Sequence, residues 1–326
     1  MARLRSITVM GDPLMARVVA AMLSQALDHH QCRVTLGDLG DTHADGTRCL
    51  VGPASADAFT NIGLPQDKLL EAGGSVHFSW KLRGKEIMSG AFGAPMGGVD
   101  FHHHLHRVEG ELTYEKMVPF NPGAIIEKSW PAEQVVKRKP ARFGMMVARG
   151  TLQQLLLGKN EYGAGGEADF IFDVRGDGAA EWHGNVISAP ASASFPELGL
   201  YRCVRAVERF LALLPGAEEG SSAQSEFNHL SLLEDERITD FAALLVGQTD
   251  RPALQRKIEA FSACGDIPLE EYELFPPGQW ICALLQSGFA PRDYNHMADR
   301  IPIAETRQWL DGLLAQLDQL ARSGAD

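Results

Sequence analysis

The sequence predicts an α/β fold, and three observations support that fold class. An apolar, β-branched run at Ser6–Met10 ends at a glycine and is followed by apolar residues at helical spacing in Ala16–Leu27. A second short strand pattern, Cys32–Leu36, completes a β-α-β unit of the type that binds nucleotides. Beyond Pro196 the pattern changes to long helices, so we expect the sheet to be built before that residue.

Two further strands are predicted near the middle of the chain. Ala168–Val174 (ADFIFDV) and Asn185–Ala189 (NVISA) are almost continuously apolar. Such runs are typical of strands that are covered on both faces of a sheet. We therefore expect these two strands to join Ser6–Met10 and Cys32–Leu36 in a single sheet.

A β-rich region is predicted between residues 73 and 145. Glycine is frequent there, and short alternating segments occur at Val76–Leu82 and Asp100–Val108. These features predict an accessory antiparallel sheet, inserted into a dinucleotide-binding domain at 1–199. Residues 200–326 are predicted to form a helical C-terminal region. Helical periodicity covers Leu200–Leu214, Phe227–Val246, Pro252–Ala263 and Ile303–Ala321.

The charge balance excludes two classes of partner, and the cysteines indicate the compartment of the protein. The chain has 30 Lys and Arg against 42 Asp and Glu, and its net charge of −12 repels nucleic acid and anionic lipid. Its five cysteines have no CxxC spacing, which indicates a reducing compartment. The N-terminus lacks a signal-peptide layout, and no apolar stretch reaches the roughly 20 residues that span a bilayer. We expect a cytoplasmic protein without nucleic-acid or membrane partners.

A set of segments, spread in order along the chain, carries the motifs of one family. The segments are VMGDPLMARVVAAML (9–23), VTLGDLG (34–40), VGPASADAFTNIGL (51–64), ADFIFDVRG (168–176), NVISAPASASFPELGLYRCVRAVERFLALLP (185–215), EFNHLSLLEDERITDFAALLV (226–246) and WICALLQSGFAPRDYNHMAD (280–299). In this order they resemble the tryptophan halogenase family of flavoenzymes. The resemblance implies a Rossmann-like FAD-binding fold of the flavin monooxygenase and halogenase type, with an accessory β-sheet and a helical C-terminal region.

The same resemblance implies a set of cofactor-binding positions. They fall on Gly11, Ala16, Asp38, Gly52, Gly176 and Gly199. A dinucleotide fold needs a glycine-rich first turn so that the backbone approaches the pyrophosphate. Here only Gly11 remains of that motif, and Asp12 and Pro13 follow it, so a carboxylate faces the phosphate site and proline removes an N–H donor. This disfavours FAD as a cofactor. Gly11 is equally explained as a turn glycine, and Asp38 as a surface aspartate.

The catalytic positions implied by the resemblance are also altered. The family uses a lysine that holds the active halogen and a glutamate that assists attack by the aromatic ring. The lysine position falls on His77, and the glutamate position falls on Leu198, or on Glu197 if the alignment shifts by one residue. Glu197 is alternatively a carboxylate that stabilises a helix N-terminus after Pro196. The glutamate of a further family motif is replaced by Pro53.

The substrate-covering part of the family has no clear counterpart in the sequence. Few residues separate Gly176 from Asn185, where the family places that region, and the WxWxIP signature of the family is missing from the chain. We therefore expect a shortened and divergent relative that does not chlorinate free tryptophan.

A histidine-rich run offers a competing interpretation. Phe101–Arg107 reads FHHHLHR, and an extended backbone would put His102, His104 and His106 on one face, as in a Zn²⁺ or Fe²⁺ site. The sequence supplies no recognisable fourth ligand, so a partly exposed polar strand face is the alternative.

Three hypotheses follow for the function. The favoured one is a non-catalytic halogenase-like protein that binds a small aromatic ligand or a protein partner. The second is an FAD-dependent halogenase or monooxygenase acting on an electron-rich aromatic. The third is a histidine-based metal enzyme. The visible absorbance of the purified protein distinguishes them. Bound flavin absorbs at about 450 nm, and this absorbance rises with the fraction of the protein that carries flavin.

Overall fold

The computed structural model of the chain divides into two compact units. The first unit comprises Met1–Ser75 and Gly144–Glu236, and the second comprises Val76–Phe143 and Arg237–Asp326. The structure describes residues 4–28, 30–39, 48–51, 53–72, 75–77, 81–82, 85–86, 107, 129–130, 145–148, 151–152, 155–156, 163–164, 168–176, 178–190, 196–214, 222–268, 270–275 and 277–323. The domain boundary after residue 199 stays a prediction.

The described secondary structure consists of the following strands and helices. The strands are β1 Ser6–Gly11, β2 Arg33–Leu39, β3 Arg48–Val51, β4 Ser75–His77, β5 Lys81–Leu82, β6 Lys85–Glu86, β7 Ser129–Trp130, β8 Met145–Ala148, β9 Gly163–Ala164, β10 Phe170–Gly176, β11 Glu181–His183 and β12 Val186–Pro190. The helices are α1 Pro13–Ala26, α2 Pro53–Asn61, α3 Gln66–Glu71, α4 Pro196–Leu213, α5 Ser222–Leu245, α6 Pro252–Cys264, α7 Pro277–Gln286 and α8 Ile303–Ser323. A 3-10 helix, His296–Arg300, precedes α8.

The first unit contains a six-stranded sheet in the order β11-β12-β10-β1-β2-β9. The pairs β12-β10, β10-β1, β1-β2 and β2-β9 are parallel, and only the edge strand β11 is antiparallel. All four strands predicted from the sequence lie in this sheet, as β1, β2, β10 and β12, so the prediction is confirmed. Its central side chains are fully buried, among them Ile7, Val9, Phe172 and Ile187. These four side chains share one face of the sheet, whereas Ile171 and Val186 on the other face are half-buried.

Aromatic side chains fill the core where the sheet meets the C-terminal helices of the first unit. Trp182 of β11 packs edge-on against Phe210 of α4 and Phe227 of α5, with ring centroids 5.5 and 5.8 Å apart. Asn228 of α5 accepts a hydrogen bond from the Trp182 backbone N–H at 2.6 Å and donates to the Trp182 carbonyl at 3.0 Å. Asn228 therefore pairs the free backbone groups of an edge strand.

A buried ionic network joins α4 to α5. The Glu234 carboxylate accepts hydrogen bonds from the Tyr201 hydroxyl at 2.7 Å, from Arg205 at 3.1 Å and from Arg209 at 3.0 Å. Arg209 also donates to the Ser231 hydroxyl at 2.7 Å. Burial, with the negative charge and hydrogen bond of Glu234, raises the pKa of Tyr201 well above its usual range. The network keeps a buried glutamate paired.

The second unit is organised around the RITDF segment of α5. Phe241 stacks on Phe275 with ring centroids 3.8 Å apart and meets Trp280 edge-on at 5.0 Å. Asp240 is fully buried and pairs with Arg251 at the start of α6. These residues dock α5 on the helices that follow it, so this segment of the family resemblance has a packing role.

The accessory region of the second unit is partly described. Strand β4 pairs antiparallel with β7, and the short strands β5 and β6 pair antiparallel with each other. Arg107 lies in a helix, so the strand predicted for Asp100–Val108 is wrong at that residue. The run Phe101–Arg107 contains no β-branched residue, which removes a main preference for the extended conformation. Within the described part of the chain, every helix is too short or too polar to cross a bilayer.

Candidate functional site

The candidate site lies at the carboxyl edge of the parallel sheet in the first unit. Ligands of such sheets bind outside the carboxyl ends of the strands, where neighbouring strands lead in opposite directions. Strand β1 has β2 on one side and β10 on the other, so this position lies at the end of β1. Gly11, Asp38 and Gly176 end or nearly end β1, β2 and β10. The structure therefore brings three of the predicted cofactor positions to one edge.

Gly11 connects β1 tightly to its neighbour β10. Its φ is +110°, and a Cβ built there would lie 2.4 Å from the carbonyl oxygen of Val174. The next residue, Asp12, donates its backbone N–H to the same carbonyl at 2.9 Å. The conformation and the close approach both require glycine. The turn-glycine alternative thus fully accounts for Gly11.

Asp12 caps the N-terminus of α1. Its Oδ1 accepts hydrogen bonds from the backbone N–H groups of Leu14 and Met15, each at 3.0 Å. Pro13 occupies the first helical position and has no N–H. The N–H of Ala16 donates to the Asp12 carbonyl at 2.8 Å. Every backbone N–H at the start of this helix is therefore bonded within the chain.

This arrangement does not fit the pyrophosphate of a dinucleotide. A phosphate at a helix N-terminus binds free backbone N–H groups and gains from the positive end of the helix dipole. Here the Asp12 carboxylate, whose residue is 7% exposed, already accepts from those groups. A bound phosphate would have to displace the carboxylate or lie beside a like charge.

Arg175 is a feature of this edge that the sequence analysis did not select. Its guanidinium donates to both carboxylate oxygens of Asp173, at 2.7 and 3.2 Å, and contacts the Met10 sulfur at 3.3 Å. Its Cγ would lie 2.8 Å from a Cβ on Gly11, so its side chain covers the glycine surface. Two charged residues spaced i and i+2 in an apolar strand, as in FDVRG, are the signal that points to this pair.

The remaining predicted site residues are distributed as follows. Ala16 is buried in the first turn of α1, and Gly199 is buried near the start of α4. Glu197 is the second residue of α4, a backbone position that suits its alternative role at a helix N-terminus. His77 lies in β4 opposite Ser129. Outside the described residues lie Gly52, His102, His104, His106 and the side chains of Asp38, His77, Pro53, Glu197 and Leu198.

A polar cluster in the second unit involves the end of the family-like segment. Asp299 accepts hydrogen bonds from Tyr294 at 3.0 Å and pairs with Arg107 at 3.0 Å and with His296 at 3.1 Å. The hydrogen bond to Asp299, together with the charge of Asp293, raises the pKa of His296, and the hydrogen bond from His296 lowers the pKa of Asp299. Arg107 also donates to the carbonyls of two residues at the end of the 3-10 helix. These contacts join Arg107 to the 3-10 helix His296–Arg300.

The described residues contain no group of three or more histidine, cysteine or carboxylate side chains that could hold a metal ion. The metal hypothesis rests on His102, His104 and His106, whose structure is not described, so it stays a prediction.

Comparisons with known proteins agree with the fold. The model of the tryptophan halogenase family matches residues 164–303. The structure of BrvH, a flavin-dependent halogenase from Brevundimonas sp. BAL3, is similar with a TM-score of 0.72 at 13% identity, covering 98% of this chain and 97% of that chain. The tryptophan 6-halogenase SttH from Streptomyces toxytricini gives a TM-score of 0.70 at 9% identity, covering 98% and 97%. A search of curated proteins gave no match.

These findings define the class of protein. Its fold is that of the flavin-dependent halogenases, a mixed α/β fold with a largely parallel sheet and a helical C-terminal region. The match of residues 164–303 to the family model agrees with the resemblance to the tryptophan halogenases that the sequence shows.

Proposed function

We propose that this protein is a non-catalytic member of the halogenase-like proteins, which binds a small aromatic ligand or a protein partner without flavin chemistry. The observation that carries the proposal is the capped N-terminus of α1. The Asp12 carboxylate accepts from the two N–H groups that a cofactor phosphate would need. The absence of CxxC spacing among the five cysteines suits the reducing cytoplasm that we assign to it.

The altered catalytic positions support the same proposal. His77 stands where the family resemblance places a lysine, and imidazole is largely neutral at pH 7. Leu198 stands where it places the assisting carboxylate. Loss of a proton-transfer group slows a reaction by about 10²- to 10⁴-fold. Positioning of the substrate lowers the activation barrier by up to about 7–11 kcal/mol, and this contribution is lost with the residues that provide it.

The alternative is an active FAD-dependent halogenase or monooxygenase that acts on an electron-rich aromatic. The observation that favours it is the similarity to BrvH, which extends over 98% of this chain. At 13% identity that similarity establishes the fold and leaves the chemistry to the residues of the site.

A halogenation assay separates the two proposals. The purified protein is incubated with a flavin reductase, NADH, FAD, chloride or bromide, and either tryptophan or a set of substituted indoles. Products are measured by mass spectrometry. We expect no halogenated or hydroxylated product above the level of a reaction that lacks this protein.

Controls assign any product to this chain. A product that depends on the protein and is lost in His77→Ala or Glu197→Ala would contradict the proposal. It would also show that Glu197 acts as the carboxylate of the shifted alignment. A product that survives both substitutions equally contradicts the non-catalytic proposal and the alignment at these two positions.

A further inference from the structure

We propose that Asp12 takes the place of a bound phosphate, so that the first helix of this fold is stabilised by an anion that belongs to the chain. The fold implies a cofactor whose phosphate lies at the N-terminus of α1, and the residues there disagree with that expectation. The inference goes beyond the proposed function because it states what stabilises this edge of the sheet when no cofactor is bound.

The hydrogen bonds at the start of α1 account for each backbone donor. One carboxylate oxygen of Asp12 accepts hydrogen bonds from the backbone N–H groups of Leu14 and Met15. The backbone N–H of Asp12 donates to the carbonyl of Val174 on β10. These contacts tie the helix N-terminus to two neighbouring strands through one residue. A phosphate would make the same kind of contact, with a negative oxygen facing backbone N–H groups.

The electrostatics of the site favour the tethered anion over a free one. A carboxylate at a helix N-terminus is stabilised by the helix dipole, and it needs no loss of translational freedom because it is part of the chain. The nearby cation, Arg175, is paired with Asp173 through two hydrogen bonds. A second anion at this edge would therefore face the Asp12 carboxylate at close range.

Thermal unfolding of the full chain tests the inference, with inorganic pyrophosphate as the probe. The variant Asp12→Ala frees the two N–H groups. We expect its Tm to fall by about 2–4 °C, the shift for loss of a helix cap in a unit of this size. Pyrophosphate at about ten times its Kd should then raise the Tm of Asp12→Ala by a similar amount and leave the wild-type Tm unchanged.

A matched control removes a carboxylate that accepts a backbone hydrogen bond in a turn of the same unit. Asp28 follows the other end of α1 and accepts a hydrogen bond from the backbone N–H of His30 at 2.9 Å. Asp28→Ala should show no response to pyrophosphate. Asp12→Asn keeps a side-chain acceptor without the charge, so its Tm should lie between those of wild type and Asp12→Ala. This variant keeps the test decisive if Asp12→Ala fails to fold.

The results that would overturn this inference differ from those that would overturn the proposed function. A wild-type Tm that rises with pyrophosphate, or an Asp12→Ala variant that is as stable as wild type, overturns the inference. So does an Asp12→Ala variant that gains no response to pyrophosphate, an Asp28→Ala variant that gains one, or an Asp12→Asn variant as unstable as Asp12→Ala. Halogenation by the wild-type protein would instead overturn the proposed function.

Discussion

Gly11 and Asp12 are adjacent residues that serve one purpose, the attachment of α1 to the sheet. Gly11 has a φ of +110° and approaches the Val174 carbonyl too closely for any side chain. Asp12 then donates to that carbonyl and caps the helix. In a dinucleotide-binding turn, a glycine of this kind admits the cofactor. Here the same conformational freedom brings β1 and β10 together.

Substitution of Gly11 tests the close approach. Gly11→Ala should lower the free energy of unfolding by about 1–3 kcal/mol more than Gly178→Ala, because the added methyl overlaps backbone. Gly178 is a matched control, since its φ is +84° and an added Cβ would meet no described atom within 4 Å. Both variants bear the strain of a positive φ, which is about 1–3 kcal/mol. Equal losses in urea unfolding would show that the approach to Val174 imposes no cost.

The sequence contained the signal for the capped helix, although it was interpreted differently. Asp12-Pro13 is an N-cap residue followed by proline at the first helical position. We interpreted Gly11-Asp12-Pro13 as a turn and began the helix at Ala16, whereas α1 begins at Pro13. The hydrogen bonds from Leu14 and Met15 to the Asp12 carboxylate required the three-dimensional structure.

At the scale of elements, the pairing of α4 with α5 depends on a buried glutamate. Glu234 is 5% exposed and accepts hydrogen bonds from Tyr201, Arg205 and Arg209. Its removal would leave two guanidinium groups without their shared acceptor. Removal of one partner of a buried ion pair destabilises a protein by more than the intact pair stabilises it, because the remaining charge stays buried without a partner.

The prediction for this pairing concerns two glutamates on α5. Glu234→Ala should lower the free energy of unfolding by about 3–5 kcal/mol, measured by urea unfolding of the full chain. The exposed Glu226 lies on the same helix, and Glu226→Ala should change it by less than about 0.5 kcal/mol. A loss below about 1 kcal/mol for Glu234→Ala would mean that the network does not hold the two helices together.

The elements themselves were largely predictable, and the contacts between them were not. The four strands of the parallel sheet were predicted because each is a short run rich in apolar and β-branched residues. Helices α1, α4, α5, α6 and α8 were predicted because one apolar face recurs at helical spacing, whereas α3 and α7 were not predicted. The strand predicted at Asp100–Val108 is wrong at Arg107, because only Phe101 and Val108 in that segment favour the extended conformation. The Glu234 network joins side chains of two helices, and no local sequence pattern indicates those contacts.

At the scale of the whole molecule, fold and chemistry separate. A TM-score of 0.72 at 13% identity shows that this chain has a fold like that of BrvH with a very different sequence. Function depends on a few residues at the edge of that architecture. We propose that Asp12 closes this edge to the phosphate of a flavin dinucleotide.

Titration of the wild-type protein with FAD tests that claim most directly. Flavin fluorescence and absorbance are followed as protein is added to micromolar FAD, with bovine serum albumin as a non-binding reference. We expect no saturable change in flavin fluorescence or absorbance at micromolar FAD, because the N–H groups of Leu14 and Met15 at the start of α1 donate to Asp12. Saturation with a Kd of about 1 µM or tighter, which corresponds to roughly −8 kcal/mol, would contradict it.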